Sequence, residues 1–112
     1  MPKPKKFLEG FQLVPGHYFD GYKVVSADST HEVIVRYRKY KYEITVVFQQ
    51  DQPDGNYEDL YDDLLSEIDQ EKTIYTSYGN PYRCWIDPPA EGSVVQEGDR
   101  YIFHLVGHSE RI

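Results

Sequence analysis

From residue 36 the chain reads Arg36-Tyr37-Arg38-Lys39-Tyr40-Lys41-Tyr42, four cations and three tyrosines with no acid among them. Cations that meet phosphates, interleaved with rings that stack on unpaired bases, are what a single-stranded RNA or DNA binder needs. The residues in that reading are Arg36, Arg38, Lys39, Tyr40 and Lys41. Four phosphate contacts give a salt slope of only about −3, so such binding would be weak. The plainer reading turns Tyr37 and Tyr42 toward a core and leaves a solvated loop at the tip of a hairpin.

A second pair with interaction chemistry is Arg83 and Trp85, two residues apart and therefore on one face of a strand. Arg and Trp dominate the energetics of protein interfaces. With Ile34 and Val47, apolar residues among charges, they mark a sheet face available to a partner.

Catalytic and metal chemistry finds less support. His104 and His108 are four apart, which on a strand separates them by about 13 Å, too far to share one ion. His108 and Ser109 are neighbours on an extended chain and point to opposite faces, so they form no dyad. His104 is expected to be part-buried and hydrogen-bonded. Cys84 alternates with Tyr82 and Ile86 and reads as a small core residue rather than a nucleophile. Asp54-Gly55-Asn56 resembles the start of a calcium loop, but Tyr61 falls where the bidentate acid is needed. Phosphate-cradling glycine motifs are absent. An enzyme would have to gather His17, His104 or His108 with a carboxylate such as Asp20, Asp87 or Asp99 in a cleft. No catalytic residue, metal or cofactor is therefore assigned.

The formal net charge of −7 over 112 residues argues against a surface built as a whole for nucleic acid or anionic lipid. One cysteine excludes an intrachain disulfide, and no apolar run approaches the roughly 20 residues that span a bilayer. The start, Met-Pro-Lys-Pro-Lys-Lys, has no apolar stretch behind it of the kind a signal peptide carries, so a cytoplasmic protein is expected.

Those side chains must be held by elements legible as patterns. Val33, Val35 and Tyr37 alternate on odd positions, and Tyr42, Ile44, Val46 and Phe48 on even ones. A reversal between Lys39 and Tyr40 accounts for the change of parity. It pairs Tyr37 with Tyr42, Val35 with Ile44, Val33 with Val46 and His31 with Phe48, and on the other face Arg36 with Glu43 and Ile34 with Thr45. Tyr22 to Ser26 reads as a preceding strand, and Ala27 to Thr30 as a turn. Asn56 is a good N-cap, and Tyr57, Leu60, Tyr61, Leu64, Leu65 and Ile68 follow helical spacing on one face. That helix is expected to reach Lys72. From Asp51 to Glu71 there are nine acids and no base, mostly its wet side. Tyr82 to Ile86 and Tyr101 to Val106 complete the strands, the last inside the sheet.

The expected fold is α+β: a single domain, residues 7–112, with an antiparallel sheet of about five strands in the order β-β-β-α-β-β, one amphipathic helix packed on one face, and a disordered basic tail over residues 1–6. Phe7 to Val14, or a second subunit, is expected over the sheet's other face. A module that binds another protein, or itself as a homodimer, is the leading functional expectation, through Arg83, Trp85, Ile34 and Val47. Nucleic-acid binding through residues 36–42 ranks second and a small enzyme third; no membrane partner is expected.

Overall fold

The computed structural model describes residues 3–34 and 38–112, and only the backbone of 33, 34 and 91. Helix α1 (Pro4–Gly10) comes first. Strands β1 (Tyr18–Phe19), β2 (Tyr22–Ile34) and β3 (Lys39–Gln50) follow, then helix α2 (Tyr57–Ile68). Strands β4 (Lys72–Tyr75), β5 (Pro81–Asp87), β6 (Val95–Glu97) and β7 (Arg100–Arg111) complete the chain. They form one antiparallel sheet in the order β1-β2-β3-β7-β5-β4, with β6 added to β7 beside β5. The α+β antiparallel architecture stands, with seven strands and two α-helices among the described residues where about five strands and one helix were expected. The last strand lies inside the sheet, as its two-faced apolar pattern predicts.

Hairpin β2–β3 differs in register from the sequence reading. Ile34 pairs with Lys39, so the chain reverses between them. Ile44 faces Ser29, Val46 faces Ala27, Phe48 faces Val24 and Tyr42 faces His31. Likewise Glu43 faces Thr30 and Thr45 faces Asp28, in place of Arg36 and Ile34. Val35, Arg36 and Tyr37 lie outside the described residues. Both registers set odd residues of one arm against even residues of the other, so alternation could not choose between them. A bulge between Val24 and Ser26 also reshapes β2. It moves the inward positions of β2 from Tyr22 and Val24 to Ala27 and Ser29, and a separate strand and turn become one continuous strand. Ala27 to Thr30 looks like a turn because its side chains are small and polar. Its backbone nevertheless pairs with β3.

Both helices pack on the same, inner face. Helix α1 buries Phe7 and Leu8 completely or nearly so, with Phe11 and Leu13 following it into the core. The Phe7 ring stacks on Tyr42 at 4.4 Å. It occupies the space above Gly107, where an added Cβ would lie 2.5 Å from Cζ of Phe7. Pro4 to Lys6, expected within a disordered tail, instead form the first turn of α1, and Lys6 Nζ donates to the Tyr75 carbonyl. Phe7 to Val14 accordingly covers the inner face rather than the outer one. Proline suits the first turn of a helix because its missing N–H would have no partner there.

Helix α2 begins as expected. The Asp59 amide donates to Asn56 Oδ1 at 2.9 Å, and Glu58 and Asp59 complement the positive end of the helix dipole. Leu60, Leu64 and Ile68 are buried, while Tyr57, Tyr61 and Leu65 pack part-buried beside them. The helix stops at Ile68 instead of reaching Lys72. Lys72 to Tyr75, with β-branched Thr73 and Ile74, pair with β5 as the edge strand β4. Among the described residues no helix is long and apolar enough to cross a membrane.

Candidate interaction face

Alternation along β5 fixes the starting point. Tyr82, Cys84 and Ile86 point inward and are buried, so Arg83, Trp85 and Asp87 project from the outer face. Cross-strand pairing brings Trp85 opposite His108, Arg83 opposite Glu110, and Asp87 opposite Val106 on β7. On the far side of β7, Lys41 lies opposite His108, Lys39 opposite Glu110, and Glu43 opposite Val106. Four pairs further along, Val47 faces Ile102, which also faces Val95 of β6.

Trp85 is held by its neighbours. Its ring lies nearly parallel to that of His108, with centroids 5.2 Å apart at 18°, and the Arg83 guanidinium sits over it at 5.0 Å. The opposite edge of His108 is engaged too, with Nε2 2.7 Å from Asp87 Oδ2. Glu110 stands between two cations, accepting from Arg83 at 3.1 Å and lying 3.9 Å from Lys39 Nζ. These pairs are solvent-exposed, so each contributes about 0–1 kcal/mol to stability; their effect is to orient side chains. Trp85, Val47, Ile102 and Val106 are part-buried, neither sealed in nor fully wet.

The two constellations that look separate in sequence therefore share one face. Through β7, Lys39 and Lys41 join Arg83 and Trp85. Val47 lies on the same face, toward its other end. Ile34 pairs with Lys39 at the hairpin end, and its side chain is outside the described part. Arg36 is likewise outside it, whereas Arg38 is exposed in the turn at φ 53°. Tyr40 corrects the nucleic-acid reading: it sits on the inner face, edge-on to Tyr82 with centroids 5.9 Å apart, and burial raises its hydroxyl pKa. A ring there cannot stack on a base approaching Lys39 and Lys41.

The sequence reading weighed His108 only for metal and catalytic roles and did not weigh Glu110, so neither was placed on this face. The final half of β7 looks polar because its inward positions are Gly107 and Ser109, small where Phe7 and the Tyr42 hydroxyl need room. The alternating Val106, His108 and Glu110 were the available signal. His104, expected part-buried, is exposed, with Nδ1 3.4 Å from Thr45 Oγ1. His108 meets Asp87 on an open face rather than in a cleft, and His17 stacks edge-on with Phe19 in the segment around β1. Cys84 is buried, and burial pushes its thiol pKa up to about 12, which disfavours the thiolate a nucleophile needs. Among the described residues no three His, Cys, Asp or Glu side chains gather to hold a metal.

Comparison with known proteins finds no matching family model, no matching curated protein and no matching solved structure.

Proposed function

We propose that this chain is a protein-interaction module that docks another polypeptide on the outer face of its sheet, with Trp85 as the anchor. The setting of Trp85 carries the reading. Its ring is held by Arg83 and His108 on a face that neither helix covers, with apolar Val106 beside it and Val47 and Ile102 beyond. A side chain already ordered in the free protein loses little rotamer freedom on binding. An aromatic framed by polar groups matches the core and rim of protein interfaces.

The test is selection of binders from a displayed peptide library against the folded chain, followed by chemical-shift mapping. Binders should perturb β3, β5 and β7 and should lose at least tenfold in affinity to the Trp85→Ala variant. Binders that gather elsewhere and tolerate Trp85→Ala would refute the reading.

A second reading has one observation in its favour: Lys39, Lys41, Arg83 and Trp85 share a face, as a single-strand binder would require. Glu43, Asp87 and Glu110 stand among those cations, which ranks it below protein docking. Fluorescence anisotropy with a labelled oligonucleotide at low salt tests it, and no binding at about 50 µM protein ends it.

A further inference from the structure

We infer that the outer face is self-complementary and that the polypeptide docking on it is a second copy of this chain. The two copies would be related by a two-fold axis running along the seam between β3 and β7. This rests on the reading of the outer face as a docking surface and names its occupant.

Charge is the first argument. On the hairpin half of β2, β3, β7 and β5, three cations (Lys39, Lys41 and Arg83) stand with four acids (Glu32, Glu43, Asp87 and Glu110), one charge from balance. That near-balance is local. The chain as a whole carries −7, and the solvent side of α2 presents Glu58, Asp59, Asp62 and Asp63, which would repel their own copies. The outer face can therefore meet itself at a smaller like-charge cost than the acidic side of α2.

The order of residues across the strands is the second. Side chains facing one another across strands form levels. One level is apolar apart from Ser26 of β2: Val47, Ile102 and Val95. Another alternates in sign, Lys39, Glu110 and Arg83. An axis along the strands sets each level against itself in reversed order. Valine and isoleucine then meet valine and isoleucine, and a sideways step of one strand brings Glu110 over a cation of the other copy. An axis across the strands would instead press the apolar level onto charges and strip their water without pairing them. Two sheets stacked about 10 Å apart with aligned strands are an ordinary sandwich.

Area is the third. Four strands about 4.8 Å apart and ten residues of about 3.3 Å each give a face of about 19 Å by 33 Å, about 600 Å² in projection. Corrugation by side chains raises the accessible area toward the roughly 800 Å² per partner that specific complexes bury.

Sedimentation velocity across a concentration series, read together with the emission of Trp85, tests this, because Trp85 is the only tryptophan. The expected result is a species of twice the chain mass at high concentration, with emission moving to shorter wavelength as the dimer forms. Val47→Lys and Ile102→Glu, each alone, should give a folded monomer by circular dichroism. An equimolar mixture of the two should restore the dimer, because the new charges meet only across the two-fold; that mixture separates loss of the interface from loss of folding. A chain still monomeric at about 1 mM, where an interface of only about −4 kcal/mol would be populated, overturns the self-pairing. So does a dimer that survives Ile102→Glu or fails to re-form in the mixture. If the chain is monomeric but library binders still depend on Trp85, self-pairing fails and protein docking stands; if neither is seen, both fail.

Discussion

The two faces of one strand make the sharpest contrast in the molecule. On β3, Tyr42, Ile44, Val46 and Phe48 look inward and are at most 2% exposed. Between them Lys41, Glu43, Thr45 and Val47 look outward and stay part-buried or exposed. The backbone is shared, so the difference lies in what stands opposite. Inward side chains meet two helices and lose their water. Outward ones keep part of theirs, and Thr45 meets His104 across the strands. Burial on one side holds the fold together, and the less buried other side is the surface on which the docking proposal rests. The same split governs ionisation: Tyr42 and Cys84 on the inner face both have pKa values pushed up to about 12, mainly by burial.

The contrast should break most visibly at Phe7. Removing its ring empties the space between α1, Tyr42 and Gly107, so Phe7→Ala should lose about 3–5 kcal/mol in a urea unfolding series. Gly107→Ala approaches the same contact from the other side. Its new Cβ would lie 2.5 Å from the Phe7 ring and 3.2 Å from Ile44 Cδ1, and the overpacking should cost about 1–3 kcal/mol. Neither variant should alter outer-face binding except through the folded fraction.

Alkaline titration sharpens the same division. Cys84 and Tyr42 are acids whose folded pKa values lie above their ordinary 9.0 and 10.0. The unfolded chain releases these protons first, so their contribution is complete below about pH 9 and is lost as pH rises toward 12. Unfolding free energy should fall over that window, and Cys84→Val should flatten the early part of the fall. A flat profile from pH 9 to 12 would mean that the two groups are not buried as described.

Trp85→Ala is the converse of Phe7→Ala. The indole is part-exposed and packs on side chains rather than in the core, so stability should change by about 1 kcal/mol or less while docking is lost. Loss of stability matching that of Phe7→Ala would erase the distinction between the faces. Smallest of all, Glu110→Gln removes the charge between Lys39 and Arg83 and should shift stability by about 0–1 kcal/mol, less at high salt. Its effect on self-association should be larger than its effect on folding.

Much was readable from local pattern. Helical spacing from Tyr57 to Ile68, the Asn56 cap, the inward trio Tyr82, Cys84 and Ile86, and the outward pair Arg83 and Trp85 all depend on neighbours within a few positions. The outer-face site was legible in halves: Arg83 and Trp85 on one strand, Lys39 and Lys41 on another. That His108 and Glu110 join them was hidden because Gly107 and Ser109 do not look like core residues.

Sequence alone determined the periodicities: which residues of β3 share a side, which stripe of α2 is apolar, and that strands and helices belong to one antiparallel α+β unit. Tertiary structure decided the register of the hairpin, the bulge at Val25 that makes β2 one strand, the short reach of α2, and the packing of α1 above Gly107. The physical reason is that a side-chain period of two is satisfied equally by every register that keeps parity. Only the volume each inward side chain must share with residues distant in the chain, Phe7 with Tyr42 and Gly107 above all, distinguishes one register from the next.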